Sequence, residues 1–281
     1  MSKKMASVLF AVFFLVFIAI MDYPYIARIM NDREQSEVVH NYQVNAKSIL
    51  ELEKEQMLED AINYNKELAT GLSLIGEVSF QNEEIIDEEY EGILAIRDHG
   101  AMGLIRIPKI DVSLSIFPGT SSEVLGKGSG HLEGSSLPVG GESTHTCLTA
   151  HRGLADRKMF TYLDQLREGD VFFIDVLDET LAYQVYGVEI VLPHEVETIK
   201  IIEGEDLATL ITCTPYGINS HRIFVHGERI PYDGNGDELD TSLATKVFQY
   251  WWLVATIAAL IFMAIMLYWF NKEPKPSRTS L

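Results

Sequence analysis

Two uninterrupted apolar runs flank a middle region in which short apolar stretches alternate with polar turns. The first run, Met5–Met21, has 17 uncharged residues behind Lys3 and Lys4, near the lower limit for a bilayer span. It predicts a helix that stays attached as an anchor. The run ends in Ile20-Met21-Asp22-Tyr23-Pro24 and lacks the small-residue site at which a signal peptide is cleaved. The second run, Tyr250–Phe270, has 21 uncharged residues. Trp251, Trp252, Tyr268 and Trp269 sit at its two ends, where aromatic rings favour the membrane–water interface. Lys3 and Lys4 precede the first run, and Lys272, Lys275 and Arg278 follow the second. The positive-inside bias then predicts both chain ends in the cytoplasm and residues 22–249 outside.

Within the middle, Val39, Tyr42, Ala46, Ile49, Met57, Ala61, Tyr64 and Leu68 recur mostly at spacings of three and four. This predicts helix over residues 33–70, with Glu53 interrupting the stripe and Gly71 as its stop. Residues 77–91 are strongly acidic and read as a solvated connector. From residue 103 the texture changes to short β-rich runs between Gly and Pro: Leu104–Ile107, Val112–Phe117, Thr146–Ala150, Val171–Val176, Leu181–Leu192, Ala208–Cys213 and Ile223–Val225. Closely spaced strands of this kind predict a mainly β fold, a barrel or a sandwich. The stretch Gly126-Lys127-Gly128-Ser129-Gly130 and the pair Gly140-Gly141 read as turn material, and neither matches a phosphate-binding loop. The chain thus divides into a tip and anchor (1–22), a helical region with the acidic connector (23–102), a β-rich domain (103–232), a polar linker (233–247), a transmembrane helix (248–271) and a tail (272–281).

A formal charge of −19 disfavours a nucleic-acid partner. With 47% apolar residues the chain is not disordered, and two cysteines cannot make a disulfide scaffold or a four-cysteine zinc site. No cofactor or metal site is expected.

The candidate chemistry sits at strand ends. Cys213 closes a β-rich run and is followed by Thr214-Pro215-Tyr216-Gly217; proline cannot continue a central strand, so a loop can expose the thiol as a nucleophile. A buried structural cysteine is the other reading of Cys213 taken alone. Cys147 reads as a core residue. It lies four strand residues from His151, about 13 Å at the usual rise, so the two cannot chelate one metal. A Cys147–Cys213 disulfide is the minor alternative and would block any chemistry at Cys213. His151 ends an apolar strand at Arg152-Gly153, a position suited to proton transfer. His221 is the weaker acid–base candidate because Arg222 adjoins it. Arg222 opens the next strand, and a hairpin would bring it to Cys213, where a guanidinium could hold an oxyanion or a peptide carbonyl. His131, His145, His194 and His226 show no suggestive local pattern.

These residues resemble a known family. Thr149-Ala150-His151-Arg152-Gly153-Leu154, together with Thr209-Leu210-Ile211-Thr212-Cys213 and an arginine nine residues on, looks like a sortase. The blocks IPKIDVSLSIFPGT (107–120), GSGHLEGSSLPVGG (128–141) and MFTYLDQLREGDVFF (159–173), with the two-span layout, are similar to the pilus-specific branch, class C. The resemblance implies an eight-stranded β-barrel with N-terminal helices, flanked by two transmembrane helices, on the outer face of a Gram-positive membrane. It implies a cysteine transpeptidase without a cofactor. Cys213 would cleave an LPXTG-like sorting signal as nucleophile, His151 would serve as general acid and base, and Arg222 would stabilise the oxyanion and orient the signal. The implied partners are pilins with sorting signals and acceptor lysines. The rivals are a sortase using a cell-wall precursor amine, a hydrolase and a non-catalytic scaffold for pilus assembly. Pilus sortases often carry a lid anchored by Asp-Pro-aromatic; residues 71–103 contain no Asp-Pro, so a lid in 77–91 would need another anchor, and Phe80 or Tyr90 is the candidate to fill the cleft.

Overall fold

The computed structural model describes residues 3–71, 88–96, 100–154, 156–234 and 251–272. The chain forms two compact units, one from residues 1–29 and 241–281, the other from residues 30–240.

In the first unit the apolar runs are helical. Helix α1 spans Lys3–Ser48, and its residues contribute to both units; it passes through Pro24 without ending. The C-terminal helix, Trp251–Asn271, follows the second run. Ser7 Oγ donates to Asn271 Oδ1 (3.2 Å), and Thr256 Oγ1 donates to Asp22 Oδ1 (2.9 Å). The rings of Tyr25 and Trp252 stack at 5.2 Å. The start of one apolar run therefore lies beside the end of the other, so the two are antiparallel. Both have the length and hydropathy to cross a membrane.

In the second unit the predicted helical stripe is split. Helix α1 ends at Ser48, and α2 runs Glu51–Thr70. The break falls at Ile49 and Leu50, where Leu50 takes an extended backbone and its carbonyl restarts the ladder by accepting from Glu53 and Lys54. Gly71 caps α2, as its place after the last periodic residue predicts. Both helices are tied to the barrel by buried polar groups. Tyr42 Oη donates to Met102 O (3.2 Å) and accepts from Leu177 N (3.1 Å). Asn65 donates to Leu137 O and accepts from Leu137 N (3.0 and 2.7 Å), pairing with that residue's backbone as a strand would. Buried Lys54 pairs with Asp178 and Glu51.

The barrel has eight strands: β1 Gly103–Ile107, β2 Val112–Pro118, β3 Ser129–His131, β4 Thr144–Thr149, β5 Val171–Val176, β6 Glu179–Val191, β7 Asp206–Thr214 and β8 His221–Ile230. They close in the order β1-β2-β3-β4-β7-β8-β6-β5. The pairs β2–β3 and β4–β7 are parallel and the rest antiparallel. The β1–β5 seam is fixed by a two-bond fork from Arg106 to Asp175 (2.5 and 2.9 Å).

The stretch expected as turn from Gly126 to Gly130 is in fact ordered. It comprises the end of a short helix, Ser122–Lys127, capped by the Ser121 hydroxyl, and the start of β3. The glycines permit close backbone approach: a Cβ on Gly128 would lie 2.5 Å from Ser115 O, and one on Gly130 would lie 2.3 Å from Gly119 O.

Strand parity sorts the core. Ala208 and Leu210 of β7 join the main cluster with Leu104, Ile105, Leu114, Phe172 and Val225. Ile211, on the opposite face of β7, joins a smaller cluster with Leu132, Cys147, Phe224 and Ile199. Ile199 belongs to the β6–β7 connection, which therefore roofs that face.

Candidate active site

The parallel pairing of β4 and β7 builds the site. Its last register position sets Thr149 level with Ile211. The ladder then adds one bond, from Ala150 N to Ile211 O (3.2 Å). Beyond it, side chains take over. Thr212 Oγ1 donates to Ala150 O (2.8 Å), and Arg152 Nη1 donates to Thr214 Oγ1 (3.1 Å). Carried two residues past its last pair, Thr149–Ile211, the register points His151 toward Cys213 on the adjacent strand.

On its other side β7 pairs with β8, and Cys213 lies directly opposite Arg222. Directly opposed residues project from the same face of a sheet. The hairpin expected from the sequence thus brings Cys213 and Arg222 together, while the parallel pair supplies the third member of the row. Cys213 and Arg222 are register partners, and the extended β4–β7 register brings in His151 from 62 positions earlier in the chain.

Each has a defined setting. Cys213 is partly exposed and its thiol is free. Cys147 is also free, so the two cysteines are not bridged. It lies wholly buried in the smaller cluster, where burial pushes its thiol far above the ordinary range. His151 is half-buried, and that desolvation holds its imidazole below the usual value. Its carbonyl accepts from Phe160 N (3.0 Å). Arg222 Nη1 donates to the carbonyls of Asn219 and His221, both at 3.1 Å, so the guanidinium also braces the loop that follows Cys213. His221 stands opposite Thr214 and bonds to Ser220 Oγ (2.9 Å). The exposed ring of Tyr216 packs over Gly153, which has φ +86°; a Cβ there would meet the ring at 3.0 Å. The loops after Cys213 and after His151 therefore touch.

Sequence reading gave no role to three other histidines that the fold places with care. His145 Nδ1 bonds to Lys200 O (2.9 Å) and its Nε2 to Thr209 Oγ1 (2.7 Å). Thr209 continues to His226 Nδ1 (2.9 Å), and His226 Nε2 reaches Glu189 Oε1 (3.1 Å). This chain crosses β4, β7, β8 and β6 on the face that Cys213 shares by parity, and it ties down the β6–β7 connection through Lys200. Thr209 lies four positions before Cys213, but no local motif marks the link. His131 is fully buried between Tyr90 Oη (2.6 Å) and Ser136 O (2.8 Å). Burial pushes His131 and His145 each down to about 4.

Of the acidic connector, residues 77–87, with Phe80, lie outside the described residues. Tyr90 is bound to His131 and packs against Tyr64. Among the described residues no group of three or more His, Cys, Asp or Glu side chains could hold a metal ion.

The chain is similar to several known proteins. A family model for the sortase domain matches residues 105–230. Sortase D of Bacillus subtilis (strain 168) is 28% identical over 133 residues, a match that spans 46% of this chain and 64% of that protein, just under two thirds of its length. Sortase C1 of Streptococcus agalactiae, solved as a complex with MTSET, superposes with a TM-score of 0.65 at 39% identity, covering 70% of this chain and 99% of that one. Sortase C of Streptococcus pneumoniae, whose structure was described as informing catalysis and pilin substrate specificity, superposes with a TM-score of 0.61 at 43% identity, covering 70% and 97%.

Proposed function

The chain belongs to the sortase family, and from that premise we propose that it is a membrane-anchored cysteine transpeptidase that polymerises pilins. In this reading the Cys213 thiol passes its proton to the His151 imidazole as the sulfur attacks the Thr–Gly carbonyl of an LPXTG-like sorting signal. The carbonyl oxygen becomes an oxyanion beside Arg222. His151 delivers its proton to the departing glycine amine as the C–N bond breaks, leaving a thioester on Cys213. A pilin lysine amine then attacks the thioester and gives a proton to His151. The isopeptide bond forms as the C–S bond breaks, and His151 returns the proton to the sulfur, regenerating the thiol.

The observation that carries the proposal is Cys213 directly opposite Arg222 across β7 and β8, with His151 two residues past the end of the β4–β7 ladder on the other side of Cys213. Proton donor, nucleophile and oxyanion partner need to flank one carbonyl, and adjacent strands supply about the right spacing. The half-buried imidazole favours its neutral form, which suits it to accept a proton from an incoming amine. The antiparallel apolar helices support two membrane spans. With the basic flanks of both runs, they favour cytoplasmic ends and an external barrel, and sortase membership favours a Gram-positive cell.

The test is to incubate the full chain in membranes with candidate pilins bearing LPXTG-like signals, and to map new bonds by mass spectrometry. Lysine isopeptide bonds that vanish with Cys213→Ala are expected. Normal ladders from Cys213→Ala would end the enzyme reading. Joining only to a cell-wall amine would replace the pilin acceptor with the cell-wall one.

A further inference from the structure

We propose that Arg152 is a positioning residue that holds His151 level with Cys213. The inference rests on the transpeptidase reading and adds to it the device that sets the distance between proton donor and nucleophile.

Strand β4 ends at Thr149, and the last backbone bond of the β4–β7 ladder is made by Ala150 N. His151 therefore sits just past the regular structure that would otherwise place it. Immediately after it comes Gly153, a left-handed glycine at which the chain turns away under Tyr216. Between the end of the ladder and that turn, Arg152 makes a two-armed link. Nη1 donates to Thr214 Oγ1 (3.1 Å), on the residue that follows Cys213, and Nη2 donates to Asp164 Oδ2 (2.7 Å). Thr214 is buried at the end of β7. Asp164 stands in the one-turn helix Leu163–Gln165, which is rooted in the core by Leu163. Both arms thus end on fixed points.

The setting of the guanidinium argues for a purpose beyond surface pairing. The Arg152 side chain is only 11% exposed, and its buried Nε has no hydrogen-bond partner among the described residues. An arginine in water would satisfy every donor, so burying this one carries a cost that a loose surface pair would not incur. Its planar fork can reach two acceptors in fixed directions at once, which a lysine ammonium on a flexible stem cannot do as rigidly. With Thr212 bonded to Ala150 on one side and Arg152 to Thr214 on the other, His151 is bracketed. Removal of the second bracket frees the segment to pivot at Gly153. Displacement of about 1 Å in such a pair costs up to about 100-fold in rate.

The test uses the full chain in detergent and follows alkylation of Cys213 by iodoacetamide across pH, quantified on the Cys213 peptide by mass spectrometry. This readout needs no sorting signal. His151→Ala defines the profile of a thiol without its imidazole. Arg152→Ala and Thr214→Val are each expected to move the wild-type profile toward that of His151→Ala with little change in melting temperature, and Thr214→Ser is expected to restore it. With an LPXTG peptide, the single-turnover acylation rate of both deleting variants should fall ~10-fold or more while KM changes less than ~3-fold, and the double variant should be no worse than Arg152→Ala. Thr214→Val, an isosteric change, keeps the test open if Arg152→Ala fails to fold. If His151→Ala alters the profile and neither Arg152→Ala nor Thr214→Val does, the positioning role is wrong. If His151→Ala leaves the profile unchanged, His151 does not act on the thiol and the role of Arg152 falls, while the transpeptidase reading is decided separately by Cys213→Ala.

Discussion

Acidification should weaken the barrel by a calculable amount through His131. Its Nε2 must donate to Ser136 O, because a carbonyl only accepts, so Nδ1 is the lone-pair nitrogen and accepts from Tyr90 Oη. A second proton would have to enter a site where Gly119 N also donates to the Tyr90 oxygen and no water reaches. The folded protein resists protonation down to about pH 4, whereas the unfolded chain takes the proton near 6.5. The unfolded state therefore binds more protons between these values, and stability falls as pH drops through that window. Between pH 7 and pH 5 the loss from this one residue is about 2 kcal/mol, and buried His145, also held down to about 4, adds a similar loss. The assay is urea unfolding of the full chain in detergent at pH 7 and pH 5, followed by near-ultraviolet circular dichroism. Wild type is compared with His131→Gln, whose amide can still donate to Ser136 O. The variant should be less stable at pH 7 and should lose about 2 kcal/mol less than wild type on acidification. Equal losses in the two proteins would refute the reasoning.

Two further outcomes follow from burial. Cys147→Ala should cost about 1–2 kcal/mol by leaving a small void between Leu132, Ile211 and Phe224. Transpeptidation should persist, and loss of activity at an unchanged melting temperature would show that the buried thiol has another role. Tyr42→Phe strands Leu177 N and Met102 O in the core and should cost about 1–3 kcal/mol in thermal unfolding; an unchanged melting temperature would show that water or backbone shifts replace both bonds.

Much of the barrel could be read from alternation. Val171–Val176 falls where the pattern puts it, and six other strands overlap their predicted runs. Strand β3 could not be read, because Ser129-Gly130-His131 has no apolar alternation; Gly130, and Gly128 just before the strand, allow close backbone contact with β2 and its neighbours. The helical stripe was visible, but the break at Ile49 and Leu50 was not, since the apolar spacing runs on through it. Lys54 and Asn65 look like solvent-facing residues and are buried, because their partners Asp178 and Leu137 lie far along the chain. At the candidate site, Cys213 and Arg222 were legible from the strand–loop–strand pattern between them. His151 was legible as a strand end, but its level with Cys213 depends on a parallel pairing between strands 62 residues apart. The Arg152 fork depends on that same pairing, so no local spacing reveals it.

That parallel pairing also sets a schedule for the growing polypeptide. Two parallel neighbours cannot be joined by a tight turn, and here the excursion between them contains all of β5 and β6. During synthesis the imidazole of His151 comes before β5 and β6, and the sulfur of Cys213 and the guanidinium of Arg222 come with the last two strands. Long-range closure of this kind is slow. A chain lacking its last two strands therefore carries no assembled site, and on the proposed reading chemistry begins only when the last β-hairpin seals the barrel.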